Sequence, residues 1–388
     1  MSKIRTYLDH NATTPVRPEV AALLRESEGV GNPSSVHGEG RRARALVEAA
    51  RAQVGALVGV APEAVVFTSG GSEANAMALR PGAPCDWAGC LGDRLLTGAR
   101  GHAWGMYGHL FARFALPIRV DSGGRIDLDD LRSRLAGGDV PTLVSIQAAN
   151  SETGVIQPVG AIAAMVREAG AVLHVDAVQA AGRVSLAFGE LGIDAMSLSG
   201  HKLGGPMGVG ALVLAPGRAG PEAPLVLGGG QQRGLRAGTE NVPGIAGFGL
   251  ACELAAKGMV SQAVRLGALR DAAERAVRRL APDAVIFGAG VCRLPNTLAF
   301  AVPGLKAETA LMALDLAGIA VSSGSACSSG KVGKSHVLAA MGMAEGLLAG
   351  ALRISLGWNS TREDVERFAG AFASVMQRLY ERRPPRAA

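Results

Sequence analysis

A lysine lies between an apolar run and a glycine-rich turn in the stretch SLSGHKLGGPMGVG. The run AMSLSGHK predicts a buried strand, and Lys202 stands at the end of that run. An amine in this position, close to Ser199 and His201, can have a lowered pKa and act as a nucleophile toward a carbonyl compound. A surface lysine that follows a strand is the simpler interpretation, so Lys202 by itself does not identify a site.

A cysteine, Cys327, lies among serines and glycines in the stretch SSGSACSSGKVGKS. A buried cysteine normally has apolar neighbours, and a zinc-binding cysteine normally has a second Cys or His about two to four residues away. Cys327 has neither, because the nearest histidine, His336, is nine residues further on. The segment predicts a flexible loop that suits either a reactive thiol or an ordinary loop cysteine.

The stretch TSGGSEAN follows the apolar run AVVF and predicts a strand, a tight turn and the start of a helix. Gly70 and Gly71 permit the turn, so the first N–H groups of the helix can face an anion, assisted by Ser72 and the helix dipole. The stretch matches neither the Walker A motif nor GxGxxG. The alternative is a plain strand–helix turn capped by Ser72.

Four further side chains could complete a site for a flat, charged ligand. Asp176 ends the apolar run VLHVD, where a carboxylate needs a cation such as a protonated pyridine nitrogen, an arginine or a helix N-terminus. Asn150 could bind a ring hydroxyl or end a strand in a turn. His102 could stack on a ring or lie in a solvated loop. Arg353 could bind a carboxylate through two hydrogen bonds or extend from an edge strand to solvent.

None of these patterns is specific alone, but together they form one set of groups. They supply an amine for a Schiff base, a phosphate cradle, a carboxylate for a pyridinium, a stacking ring and an arginine for a carboxylate. These groups are what pyridoxal 5'-phosphate chemistry on an amino acid requires.

Strands alternate with helices from about residue 15 to 250, which predicts an α/β fold with a mostly parallel sheet covered on both faces. Ligands of such sheets bind at the carboxyl ends of the strands. The polar clusters fall at those ends, after Thr68, at Asn150, at Asp176 and at 199–202.

The pattern changes near residue 255. A long Arg-rich helical stretch at 261–281 is followed by the predicted strands NTLAFAV, GIAVSS and ALRISLG and by a final amphipathic helix capped by Thr361. We therefore predict a large cofactor-binding domain over 15–255 and a smaller α+β domain formed by 1–14 and 256–388.

The composition narrows the class of protein. A chain of 388 residues with 48% hydrophobic and 19% charged residues suits a globular protein of about two domains. Its five cysteines, an odd and sparse set, favour a reducing, cytoplasmic compartment over a disulfide framework. The N-terminal residues lack the apolar core of a signal peptide, and no apolar run approaches the ~20 residues of a membrane helix.

Nucleic-acid and metal binding are both disfavoured by the sequence. The net charge of +6 is spread along the chain rather than concentrated on one basic stretch. Cys85 and Cys90 are close in sequence, but two thiols without further ligands do not predict a metal site.

The chain resembles the cysteine desulfurases of the NifS/IscS kind, which belong to the class V aminotransferases of pyridoxal phosphate fold type I. The resemblance keeps its order over nearly the whole chain and rests on the blocks YLDHNATTP, GNPSSVHGEG, VVFTSGGSEAN, ANSETGVIQP, HVDAVQAAG, SLSGHKLGGPMGVG, RGLRAGTEN, LPNTLAF, SSGSACSSG and LRISLG.

The resemblance implies a role for each residue of the cofactor site. Lys202 should join pyridoxal phosphate through a Schiff base, His102 should stack on the ring, Asp176 should pair with the ring nitrogen and Gln179 should contact the ring oxygen. Asn150 should lie beside the ring and near the substrate. The phosphate should be bound by Gly71, Ser72, Ser199 and His201.

The resemblance also implies the reaction and the partners. Arg353 should bind the carboxylate of L-cysteine, and Cys327 should take its sulfur as a persulfide, which leaves L-alanine. The persulfide would pass to a sulfur-acceptor protein, such as a scaffold for iron–sulfur clusters. Thr239 matches a residue that reaches the phosphate of the other subunit, so a homodimer is expected. The long loop around Cys327 resembles the group with an extended mobile loop.

Some residues depart from the family pattern, and alternatives stay open. Gly101 and Trp104 beside His102 are unusual, and Met207 stands where the family usually has lysine. The first alternative is a selenocysteine lyase or another class V enzyme, and the second is a non-catalytic sulfur carrier or scaffold. A nucleic-acid binder would rest on the net charge alone.

Overall fold

The computed structural model describes residues 5–79, 94–98, 115–136, 141–216, 224–323 and 335–381. The strands in these residues are β1 (Thr6–Tyr7), β2 (Val65–Thr68), β3 (Arg94–Gly98), β4 (Ala115–Ile118), β5 (Thr142–Gln147), β6 (Val172–Asp176), β7 (Ala195–Ser199), β8 (Gly210–Leu214), β9 (Val285–Ile286), β10 (Thr297–Ala301), β11 (Ile319–Ala320) and β12 (Ala351–Ser355).

Helices connect most of these strands. They are α1 (Pro18–Glu26), α2 (Gly38–Val58), α3 (Gly71–Ala78), α4 (Leu128–Leu135), α5 (Val159–Glu168), α6 (Phe188–Leu191), α7 (Val242–Leu280), α8 (Ala307–Leu316), α9 (His336–Ala340), α10 (Glu345–Leu348) and α11 (Arg362–Glu381). Among these helices, none is long and apolar enough to cross a membrane.

The large sheet has seven strands in the order β2-β8-β7-β6-β5-β3-β4. Strands β7, β6, β5, β3 and β4 run parallel, and β8 is antiparallel to both of its neighbours. The predicted mostly parallel α/β sheet is therefore confirmed. Parallel strands place all their carboxyl ends at one edge of the sheet, and this edge carries the polar residues.

Both faces of the large sheet are covered, which explains why its central strands are almost continuously apolar. Val65 and Phe67 of β2 belong to the cluster on the side of α2, α5 and α7. Val66 belongs to a smaller cluster with α3 on the opposite face. The alternation follows from the two-residue period of a strand, and it places every second residue of β6 and β7 on the α3 side.

The smaller unit contains an antiparallel sheet in the order β12-β10-β9 and the parallel pair β1–β11. Its core holds Phe300, Phe368 and Phe372, and it also includes Leu8 from the N-terminal segment. The last helix starts as predicted, because Thr361 Oγ1 accepts a hydrogen bond from Asp364 N at 3.3 Å.

The long helix α7 joins the two cores. Six of its buried residues between Val242 and Ala255 belong to the core of the large sheet, and Leu266, Ala273 and Val277 belong to the core of the smaller unit. The helix predicted at 261–281 is therefore the second half of a longer one. Its glycine-rich first half is helical because Gly249 lets it approach α2, where a Cβ would lie 2.5 Å from Ala50 Cα. The predicted boundary at residue 255 falls within α7, and the division into two domains stays a prediction.

Gly210 links the sheet to the turn before α3. It pairs with Thr68 on one side and with Ser199 on the other. A Cβ at Gly210 would lie 2.5 Å from Leu198 O and 2.8 Å from Gly70 Cα. Because these are backbone atoms, relief of the clash would require β7 or the turn at Gly70 to move.

We predict that Gly210→Ala lowers the free energy of unfolding by about 2 kcal/mol, as expected for overpacking in a buried position. The midpoint of urea denaturation checks this value. The control is Gly267→Ala in α7, where a Cβ meets no atom within 4 Å; this variant should be unchanged or slightly more stable. An unchanged midpoint for Gly210→Ala would contradict this prediction, because it would show that the backbone can move away from the added Cβ without loss of stability.

Candidate active site

A cavity of about 230 Å³ opens at the carboxyl edge of the large sheet. Its lining comes from the start of α3 and from the ends of β5, β6 and β7. The lining residues are Gly71, Ser72, Asn75, Gln147, Ser151, Asp176, Val178, Gln179, Ser199, His201 and Lys202. Seven of the residues predicted from the sequence are in this set, namely Gly71, Ser72, Asp176, Gln179, Ser199, His201 and Lys202.

Asp176 ends β6, and two donors fix its carboxylate. Asn75 Nδ2 donates to Oδ2 at 3.1 Å, and the backbone N–H of Val178 donates to Oδ1 at 3.0 Å. Asn75 lies one helical turn after Ser72 on α3, so both side chains are on the face that meets the cavity. The carboxylate is half-buried at the edge of the sheet.

A buried polar chain lies directly beneath Asp176 on the same face of the sheet. His174 Nδ1 is 2.9 Å from Ser145 Oγ, and His174 Nε2 is 2.9 Å from Ser197 Oγ. Burial lowers the pKa of His174 to about 3, so the imidazole is neutral and donates one hydrogen bond while accepting the other. The chain joins β5, β6 and β7 just below the residues that line the cavity.

The start of α3 forms one end of the cavity. The first N–H groups of a helix have no partner within the helix and carry its positive dipole end, so they suit an anion. Gly71 is required for the close approach of the helix to the sheet, because a Cβ there would lie 2.7 Å from Val178 Cγ2. Ser72 follows in the first turn and lines the cavity beside Ser199.

Lys202 lies in a short 3-10 turn (Gly200–Lys202) directly after β7. Its Nζ donates to the carbonyl oxygens of Asn11 at 2.6 Å and Ala12 at 2.7 Å. Thr14 N donates to His201 O at 2.9 Å, so the N-terminal segment runs alongside this turn. These two backbone carbonyls therefore help to hold the lysine at the edge of the cavity.

His201 faces the same N-terminal segment. Its Nδ1 is 3.1 Å from Thr13 Oγ1. Burial, and then the positive charge of Lys202, lower the pKa of His201 to about 4. The imidazole is consequently neutral near pH 7 and can act as a hydrogen-bond donor without adding charge.

Gln179 lines the cavity, and both ends of its amide are engaged. Its Nε2 donates to Asn11 O at 3.0 Å, and its Oε1 accepts from Arg183 Nη1 at 2.6 Å. Burial, and then the positive charge of Arg353, lower the pKa of Arg183 to about 10, so Arg183 remains a cation at neutral pH. Contact with a ring oxygen, as predicted for Gln179, remains a prediction.

Asn150 and Arg353 do not line the cavity, although both adjoin a residue that does. Asn150 Oδ1 accepts from Glu152 N and Thr153 N, each at 2.9 Å, in a turn after β5. The turn interpretation of Asn150 is therefore the geometry observed, while its contact with a ligand stays a prediction. Arg353 is buried in β12, and its Nη1 donates to Ser151 O at 2.9 Å.

Thr239 is exposed and is not among the residues that line this cavity, and its predicted contact with the phosphate of another subunit stays a prediction. The segment that carries it is tied to α3, because Arg236 donates to both carboxylate oxygens of Glu73 at 2.9 and 3.3 Å. Burial opposes ionisation of Glu73, but the hydrogen bonds from Arg236 and Ser69 outweigh it and lower the pKa.

His102 and Cys327 lie outside the described residues, as do Cys85 and Cys90. The flanks of the segment that contains Cys327 are described and buried. Ser322 pairs with Arg353 through two backbone hydrogen bonds of 3.1 and 2.7 Å, and Ser335 Oγ donates to Glu152 at 2.6 Å. Both flanks therefore lie next to the turn that supplies Ser151 to the cavity.

Sequence reasoning missed three polar lining residues, Asn75, Gln147 and Ser151. Helical spacing from Ser72 could have indicated Asn75, and the two-residue period of β5 could have indicated Gln147. Ser151 carries no local signal, because it depends on how the turn after β5 folds. Among the described residues, no group of His, Cys, Asp and Glu could hold a metal ion.

The donor and acceptor groups of the cavity fit pyridoxal phosphate. At one side, the Asp176 carboxylate lies beside Asn75 Oδ1, which is buried and has no hydrogen-bond partner in the described part of the chain. These acceptors suit a ligand that brings an N–H group. At the other side, the start of α3 with Ser72 and Ser199 suits an anion. A phosphorylated pyridine with a protonated nitrogen suits both sides, and Lys202 supplies an amine in the lining of the same cavity.

Comparisons with known proteins agree with this geometry. Residues 6–368 match the aminotransferase class-V family. A cysteine desulfurase of Cereibacter sphaeroides is 42% identical, with 97% of this chain and 96% of that protein covered. A cysteine desulfurase IscS of Dictyoglomus turgidum is 38% identical, with 97% and 96% covered.

The fold is likewise shared with a solved structure. A NifS-like protein from Rickettsia africae superposes with a TM-score of 0.87 at 34% identity, covering 96% of this chain and 100% of that one. The chain therefore belongs to the aminotransferase class-V family, in its group of NifS- and IscS-like cysteine desulfurases.

Proposed function

We propose that this chain uses pyridoxal phosphate to remove sulfur from L-cysteine, releasing L-alanine and leaving a persulfide on Cys327. The observation that carries the proposal is the convergence of Lys202, Asp176 and the start of α3 on one cavity, together with the family to which the chain belongs. No specific observation favours a selenocysteine lyase or a non-catalytic carrier.

The residues that would hold the cofactor follow from the cavity. Lys202 would attach it covalently, Asp176 would pair with its ring nitrogen, and Ser72, Ser199 and His201 would bind its phosphate with the start of α3. When bound, the cofactor supplies an electron sink for the carbon that loses its proton. Asp176 is suited to its part because Asn75 and Val178 already fix the direction of its carboxylate.

Lys202 would act as the base once its amine is free. In the described structure, Nζ donates hydrogen bonds to the carbonyl oxygens of Asn11 and Ala12 at the edge of the cavity. The free, neutral amine can remove the proton from Cα of the substrate and later return it to carbon.

Cys327 would carry out the transfer that distinguishes a desulfurase. Its thiolate attacks the sulfur of L-cysteine, so a new S–S bond forms as the C–S bond breaks. The electron pair of the broken bond remains with carbon, which is protonated to give L-alanine. Cys327 lies four residues after the buried Ser323, a reach of about 13 Å for an extended chain.

The proposal extends to partners and location. Thr239 would complete the phosphate site of a second copy of the chain. The active form would then be a homodimer in which Thr239 of each subunit contacts the phosphate bound by the other. The persulfide would be delivered to an acceptor protein, with an iron–sulfur scaffold as one candidate. The sparse cysteines support a cytoplasmic enzyme.

We predict that Cys327→Ser abolishes persulfide formation and lowers alanine production from L-cysteine at least about a hundredfold, because the attacking thiolate is lost. Intact-mass analysis and alanine assay after incubation with L-cysteine measure both quantities. The control is Cys292→Ser, since Cys292 is an exposed free cysteine elsewhere in the chain. Unchanged alanine production by Cys327→Ser would refute the desulfurase mechanism.

We also predict that Lys202→Ala loses the visible absorption of protein-bound pyridoxal phosphate and has no measurable turnover. The physical reason is that no other amine lines the described cavity. Each purified protein is loaded with the cofactor and dialysed into cofactor-free buffer. Its absorption spectrum then measures attachment. Lys257→Ala removes an exposed lysine and should keep the wild-type spectrum. A wild-type spectrum in Lys202→Ala would place the attachment at another lysine.

A further inference from the structure

Asp9 pairs with the most deeply buried cation near the site. Arg353 Nη2 donates to Asp9 Oδ1 at 2.7 Å, and the two side chains are 2% and 21% exposed. A guanidinium buried to this degree requires a counter-charge, because desolvation of an unpaired charge is very unfavourable. Asp9 supplies that charge within the described part of the chain.

The backbone fixes both members of the pair. Arg353 lies in β12 between Ala299 of β10 and the bridging residue Ser322. Asp9 bridges to Ser355 of the same strand, where Ser355 N donates to Leu8 O at 2.8 Å. The two Cα atoms therefore belong to one small piece of sheet, and the carboxylate of Asp9 is a fixed acceptor for the guanidinium.

Among the residues that the structure describes, the pair leaves several donors of Arg353 unused. A guanidinium has five N–H groups. Asp9 and Ser151 O accept one hydrogen bond each, and Nε is buried without a hydrogen-bond partner among the described residues. Ser151 also lines the cavity, so the guanidinium lies one residue behind the cavity wall. The unused donors suit a second carboxylate that enters from the cavity.

We propose that Asp9 is a positioning residue for substrate binding, which holds Arg353 so that its unused N–H groups meet the carboxylate of an α-amino acid. The inference rests on the proposed function and adds a residue to it. Arg353 would be shared between the carboxylate of Asp9 and that of the substrate. The negative charge of Asp9 weakens the attraction of Arg353 for the substrate carboxylate. Asp9 can therefore favour substrate binding only by fixing the guanidinium in position. The sign of the change in binding on substitution of Asp9 shows which of the two effects is larger.

Two inhibitors separate the carboxylate from the rest of the substrate. 3-Mercaptopropionate has the thiol and the carboxylate of cysteine but no amine, and cysteamine has the thiol and the amine but no carboxylate. For the holoenzyme, Asp9→Asn should raise the inhibition constant of 3-mercaptopropionate about tenfold, because the charge-assisted hydrogen bond that fixes Arg353 is lost. The inhibition constant of cysteamine should not change.

Steady-state kinetics and calorimetry complete the test. In Asp9→Asn, the KM for L-cysteine should rise by the same factor as the inhibition constant of 3-mercaptopropionate, while kcat stays within about twofold. The affinity for 3-mercaptopropionate measured by calorimetry should fall by that factor too. Asp9→Glu should recover part of the loss. The matched control is Asp315→Asn, which removes an aspartate paired with Arg5 on the surface and should leave all constants unchanged.

Three results would overturn the inference. An unchanged inhibition constant would show that Asp9 does not position Arg353, and a lower constant would show that Asp9 competes with the substrate. An equal rise for both inhibitors, with a lower melting temperature, would show a structural role only. Arg353→Lys separates the role of Asp9 from that of Arg353. If this variant leaves the inhibition constant of 3-mercaptopropionate unchanged, Arg353 does not bind the substrate carboxylate, and that part of the proposed function fails as well.

Discussion

The site depends on the backbone and side chain of one buried residue, Asn11. Its carbonyl oxygen accepts from Lys202 Nζ and from Gln179 Nε2, both of which line the cavity. Its side-chain amide donates to Ser151 O and to Thr297 Oγ1, and its N–H donates to Ser355 Oγ. One residue thus connects the lysine of the large sheet to the strands of the smaller unit. Because Asn11 and its partners Gln179, Ser151, Thr297 and Ser355 are buried, loss of one of these partners would leave a buried polar atom unsatisfied.

The region around Asn11 also brings together the polar and charged side chains that the proposed reaction needs. Arg183 is a cation beside the large sheet and Lys202 lies directly after β7, whereas Arg353 comes from β12 with its partner Asp9. Burial lowers the pKa of His201 to about 4 and that of His174 to about 3, so neither histidine adds positive charge at neutral pH. The cavity therefore presents an amine, a fixed carboxylate and neutral hydrogen-bond donors, which is a suitable environment for moving one proton at a carbon atom.

Much of this arrangement could be predicted from local sequence patterns. The apolar runs that end at Asp176 and Ser199 define neighbouring parallel strands, and parallel strands bring their ends to one edge. The positions of Asn75 and Gln147 follow from helical and strand periods but need the partner element to be known. The pairing of Asp9 with Arg353 could not be predicted, because 344 residues separate the two and only the assembled sheet brings them together. The helical first half of α7 depends likewise on close packing against α2, which outweighs the low helix propensity of its glycines.

Lys202 is the residue that would hold pyridoxal phosphate within this cavity. Reduction of the holoenzyme with borohydride, followed by peptide mass spectrometry, fixes the cofactor to the amine that carries it. We expect a phosphopyridoxyl group in stoichiometric amount on the peptide that contains Lys202. A label on a different lysine, such as Lys257 or Lys306, or the absence of any label, would contradict this expectation.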